Sequence, residues 1–110
     1  MLNLRLYMAQ RLTALVMAPF VLVHLGVMIY AIQGGLSAAE ILSRTQGSPT
    51  WFLFYGLFVL TVSIHGAIGL RVILHEWGSV KGAALDWAMW TIGAGLCALG
   101  ARAVWAVTLA

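Results

Sequence analysis

The sequence predicts an all-α integral membrane protein of three transmembrane helices. Three observations carry that expectation. Of the 110 residues, 63% are hydrophobic and only 8% charged. The mean hydropathy is +0.99. The charged residues also leave two long gaps, from Leu12 to Ala39 and from Thr45 to Leu70. Soluble domains carry about a quarter charged residues, and a chain this short buries little surface in a core of its own. The apolar surface therefore has to face lipid. The length allows one membrane domain over residues 1–110 and no separate catalytic module.

Each gap accommodates one helix, because crossing the hydrocarbon takes about 20 apolar residues. A third stretch, Trp87 to Leu109, is interrupted only by Arg102, which can snorkel to the nearer interface. The expected helices span residues 12–33, 51–75 and 86–108. Pro19 lies inside the first and is expected to kink it. The segment from Gly34-Gly35-Leu36 to Ser48-Pro49 is rich in turn residues, with room for a short interfacial turn over Ser37–Leu42. Trp51, just beyond it, suits an aromatic belt. The loop Gly78–Gly82 is short, which makes helices two and three antiparallel neighbours, and Asp86 suits the start of the third. Gly66, Gly69, Gly93 and Gly95 permit close approach of another helix or a flat cofactor. Three helices enclose little, so a partner subunit is expected. The lone Cys97 is read as a small buried hydrophobe. The first apolar segment is too long for a secretory h-region and lacks an evident cleavage site.

A net charge of +3 and a pI near 9.6 do not point to nucleic acid, because the cations are scattered rather than clustered in a patch. They are better explained by topology. Arg5, Arg11, Arg71 and Lys81 flank the N-terminal end and the second loop, whereas Arg44 and Arg102 fall on the other side. The positive-inside rule then puts the N-terminus in the cytoplasm.

Two histidines stand in the middle of the apolar runs, His24 in helix one and His65 in helix two. An ionisable side chain at that depth is costly without a partner. Neutral imidazole is a good axial ligand for haem iron, and it is equally able to hydrogen-bond a neighbouring helix. Both readings stay open on chemistry alone. Gly69, one turn beyond His65, leaves the helix face beside the imidazole bare, so that a porphyrin edge can lie there. Arg71 lies further toward the inner interface and can pair with a haem propionate, and Glu76 returns to the His65 face about 16 Å further along. Counting from helix ends sets His24 nearer the outer face than His65 by about 3 to 7 Å. His75, at the inner end of helix two, is expected to be solvated, and Arg11 stands at the inner boundary of helix one as a topological anchor.

Gln10-Arg11-Leu12-Thr13-Ala14 opening helix one, with His65-Gly66-Ala67-Ile68-Gly69-Leu70-Arg71 in helix two, resembles the succinate dehydrogenase cytochrome b subunit family. These are the small membrane anchors of succinate:quinone oxidoreductases and fumarate reductases, and the likeness covers essentially the whole chain. It implies that His65 is an axial ligand of haem b and that Arg11 lies near a quinone site. It also implies that the acid and aromatic closing helix two, here Glu76-Trp77 where many members have Asp-Tyr, adjoin the quinone. Tyr7 takes the place of a quinone-proximal serine of some members. His24 matches members with two haems, in which helices one and two each carry a ligand. The implied partners are a flavoprotein, an iron–sulfur protein, a second membrane anchor, lipid and quinone. The implied setting is the bacterial cytoplasmic membrane. Dicarboxylate chemistry would take place elsewhere, on the flavin. Two other classes fit the residues: another bis-histidine membrane cytochrome b of a respiratory complex, and a haem-free structural membrane subunit.

Overall fold

The computed structural model describes residues 3–110. It contains four helices, α1 (Leu4–Gln33), α2 (Ala38–Thr45), α3 (Pro49–Glu76) and α4 (Gly82–Thr108). Helices α1, α3 and α4 are long and apolar enough to cross a membrane. The architecture is therefore all-α with three spanning helices, as the charge gaps predict. Helix α3 is the shared element: it packs most extensively along α4 and next along α1.

Side-chain caps set three of the four helix starts, each satisfying a backbone N–H that the helix leaves without a partner. Asn3 Oδ1 accepts from Leu6 N–H at 2.9 Å, and Ser37 Oγ accepts from Glu40 N–H at 3.0 Å. Ser48 Oγ accepts from Trp51 N–H at 3.3 Å, with Pro49 in the first turn where its missing N–H costs nothing. Helix α1 thus begins at Leu4 rather than near residue 12, and it runs unbroken past Pro19. The charge-free run marks what the hydrocarbon admits, not where the helix stops, and Arg5 and Arg11 are good helix formers that carry it on into the interface. Helix α4 likewise begins before Asp86, whose carboxylate is taken by Arg71 of α3 rather than by the helix start.

The outer ends are tied together through α2. Thr45 Oγ1 donates to the Val107 carbonyl at 2.7 Å, Gly47 N–H donates to the Thr108 carbonyl at 2.8 Å, and the Gln46 amide donates to the Ala110 carbonyl. These carbonyls belong to the last turn of α4 and beyond, which has no donors of its own to offer them. On the side facing α1, Arg44 pairs with Glu40 at 2.9 Å and sits 5.0 Å from the Tyr30 ring centroid.

Small residues let α3 and α4 approach. A Cβ at Gly93 would stand 3.3 Å from the Ala67 Cβ, and one at Gly66 would stand 3.2 Å from Leu96 Cδ1. The tightest point is Gly100, where a Cβ would lie 2.4 Å from Val59 Cγ1. Valine is branched at Cβ and has little rotamer freedom to move aside. Gly95 faces open space instead. The α4 stripe against α3 runs through Met89, Gly93, Leu96 and Gly100; Cys97 is turned about 100° from Leu96 and is exposed rather than buried.

Gly100→Ala is expected to lower the thermal stability of the detergent-solubilised protein by about 1–3 kcal/mol, the usual cost of overpacking. Gly95→Ala is expected to leave the melting temperature unchanged or raise it. Equal effects of the two substitutions would show that the Gly100 contact does not set the α3–α4 distance.

Candidate functional site: two central histidines at different depths

The α1–α3 seam is built from polar residues one turn apart. On α1, Gln10 and Thr13 share a face; on α3, His65 and Gly69 share the face that meets it. Thr13 is buried, with 8% of its surface exposed. Its hydroxyl donates to the Ala9 carbonyl at 2.7 Å and lies 3.1 Å from the Gln10 carbonyl. The same oxygen is 3.3 Å from His65 Nδ1. Across one turn, the Gln10 amide packs on Gly69, where a Cβ would meet Nε2 at 3.4 Å. The face beside His65 is thus not bare as the glycine alone suggests: a long side chain of α1 fills it, and Gln10 Oε1 is buried there without a hydrogen-bond partner. His65 Nε2 makes no hydrogen bond among the described residues, and it is not among the buried unpartnered atoms, so it opens outward from the helix pair.

His24 stands elsewhere. It lines a cavity of about 460 Å³ between the outer halves of α3 and α4, roofed by Ile41 and Thr45. Its ring centroid is 5.4 Å from that of Phe58 and 6.0 Å from that of Tyr55, and it has no hydrogen-bond partner among the described residues. Because Thr13 lies level with His65 and His24 is eleven residues further along α1, the two imidazoles are about 16 Å apart along the helix axes. That exceeds the separation counted from helix ends. Helix ends do not fix that separation, because the α1–α3 register sets Arg11 near the level of Ala67 rather than of Glu76. One iron cannot be reached by both rings.

The remaining residues fall on the other side of His65 from His24. Arg71 Nη1 pairs with Asp86 Oδ1. The Arg11 guanidinium carbon sits 5.7 Å from the Tyr7 ring centroid, and both side chains are exposed. Glu76 closes α3 and Trp77 follows it, 85% exposed. The structure therefore brings Tyr7 to Arg11, and among the described residues no hydrogen bond or ion pair joins that pair to Glu76 or Trp77. His75 is half-buried rather than solvated, with Nδ1 donating to the Val80 carbonyl at 3.2 Å across the loop. Among the described residues, no three His, Cys, Asp or Glu side chains converge.

Sequence reasoning missed Thr13 and Gln10 as neighbours of His65. The available signal was their spacing, two polar residues three apart at the start of an apolar run, which puts both on one helix face. It also missed Asp86 as the partner of Arg71.

The family described as Succinate dehydrogenase/Fumarate reductase transmembrane subunit matches residues 2–106. Comparison with curated proteins and with solved structures gives no match.

The Arg71–Asp86 pair joins a largely covered guanidinium, 15% exposed, to a carboxylate that is 59% exposed. Asp86→Asn is expected to cost less than about 1 kcal/mol, and less again at high salt. Thermal unfolding in detergent at two ionic strengths checks this, and a loss of several kcal/mol would mean that the pair acts as a buried one.

Proposed function

The chain belongs to the succinate dehydrogenase/fumarate reductase transmembrane subunit family, and from that premise we propose that it binds haem b and carries electrons from an iron–sulfur partner to membrane quinone. Membership makes it a membrane-anchor subunit, not the subunit that performs dicarboxylate chemistry. The observation that carries the haem reading is the environment of His65: one ring nitrogen held by a neighbouring helix and the other open. A haem bound there would supply a one-electron relay.

In this reading His65 would hold the haem through Nε2. A facing helix of a second membrane anchor would complete the haem site, since among the described residues this chain offers no second residue beside His65 to do so. His24 serves a second haem nearer the outer face, a role supported by its unpartnered ring at the cavity wall and by its distance from His65. Arg71 keeps further N–H donors for a propionate after pairing with Asp86 through one Nη. At the inner interface Arg11 polarises a quinone carbonyl and stabilises the negative charge that develops there. Tyr7 beside it, the Glu76 carboxylate and the Trp77 indole N–H line the approach. The flavoprotein and iron–sulfur protein dock on this same end, which carries Arg5, Arg11, Arg71 and Lys81 and faces the cytoplasm of a bacterial cell.

One rival has an observation in its favour. A haem-free anchor would use the Thr13–His65 contact simply to tie α3 to α1. It leaves His65 Nε2 and both ring nitrogens of His24 without a partner among the described residues.

His65→Ala is expected to remove or shift a b-type absorbance in the purified complex. His24→Ala is expected to remove one haem of two. An unaltered haem content and spectrum in His65→Ala would favour the haem-free reading, and a single haem indifferent to His24→Ala would leave His24 structural.

Arg11→Leu is expected to slow quinone reduction while succinate oxidation with an artificial acceptor stays nearly intact. A parallel loss of both activities would assign Arg11 to assembly instead.

A further inference from the structure

We infer that Thr13 is a positioning residue for His65, holding the imidazole in the tautomer whose Nε2 is free to ligate haem iron. The inference rests on the reading of His65 as an axial ligand. A threonine hydroxyl has one proton to give and two lone pairs to accept with. Here the proton is committed to the helix itself, since the Ala9 carbonyl lies 2.7 Å away, closer than any other acceptor of that oxygen. Such bonds back to the preceding turn are the ordinary way a helical threonine satisfies its hydroxyl. What Thr13 presents to His65 Nδ1, 3.3 Å away, is therefore a lone pair.

A neutral imidazole facing a lone pair has to carry its proton on Nδ1. The other tautomer would oppose two acceptors at a buried position, where no water relieves the mismatch, since Thr13 is only 8% exposed. With the proton on Nδ1, the in-plane lone pair of Nε2 is unprotonated and directed away from α1. The contact also fixes the rotation of the ring and makes Nε2 more basic, as hydrogen-bonded partners of metal-ligating histidines generally do.

The test uses the assembled, haem-loaded complex. Thr13→Val keeps the shape and removes the acceptor, and Thr13→Ser keeps the hydroxyl. Thr13→Val is expected to weaken haem retention by about tenfold or more. It should also raise the haem midpoint potential, because a less basic imidazole favours oxidised iron less. Thr13→Ser should track the wild type in both. A purely structural threonine would lower stability without moving the potential. Wild-type potential and retention in Thr13→Val would overturn the inference, as would a Thr13→Ser protein that behaves like Thr13→Val. If Thr13→Val does not accumulate, redox-induced infrared difference spectra of the wild-type complex with 15N-labelled histidine decide. A ring band typical of an Nδ1–H donating to a neutral acceptor supports the assignment; a band typical of free or proton-free Nδ1 overturns it. His65→Ala keeps the two ideas apart. Haem lost there but indifferent to Thr13→Val removes only the role of Thr13, whereas haem retained in His65→Ala removes the ligand assignment and this inference with it.

Discussion

Hydrocarbon offers no hydrogen bonds, so every polar atom at membrane depth has to be satisfied from within the protein. Most of the molecule obeys that constraint by folding hydroxyls back onto their own helices. Ser63 donates to the Val59 carbonyl at 2.7 Å, Thr61 to the Leu57 carbonyl at 3.0 Å and Thr108 to the Val104 carbonyl at 2.6 Å. At the outer rim, where α4 runs out of donors, α2 and the residues after it supply them. The two central histidines and the buried Gln10 amide oxygen are departures. His65 has one nitrogen engaged and His24 none, among the described residues. Atoms left unsatisfied in so strict an environment are where a bound group would be expected.

Helix α3 organises the site because it has two occupied faces. Toward α4 it presents small residues that let backbones approach; toward α1 it presents His65, Gly69 and, further out, an aromatic group in which Trp51 stacks on Tyr55 at 5.6 Å between centroids and Phe20 meets Phe54 at 5.0 Å. His65 therefore falls on the seam with α1, the less extensive of the two. The outward surfaces of α1 and α4 remain apolar and exposed in the single chain, as surfaces destined for lipid and a second helical subunit would be.

How much of this was legible differs from element to element. The spanning helices follow from nine charged residues and the gaps between them, because the cost of a charge in hydrocarbon is large and local. The short helix α2 carried its own signature, Ser37 followed three residues later by Glu40, and only a turn was inferred there. The start of α1 was hidden because arginine is tolerated in a helix at the interface. Gly100 could not be singled out from the other glycines, since its importance comes from Val59 on another helix. The size of the height difference between His24 and His65 is hidden for a similar reason: it is a matter of register between helices, and register is fixed by contacts such as Thr13 with His65 that no single helix contains.

The vertical offset between the two imidazoles has an electrical meaning. At about 16 Å it covers roughly half of a hydrocarbon core about 30 Å thick. An electron moving between centres at those two heights would cross about half of the transmembrane voltage. A full crossing is worth about 2.3 kcal/mol for each 100 mV, so such a step would gain or lose about 1.2 kcal/mol per 100 mV, according to its direction. With two haems, one at each histidine, the equilibrium between them would respond to the energisation of the membrane, with the chain acting as part of a voltage divider; with one, it would not.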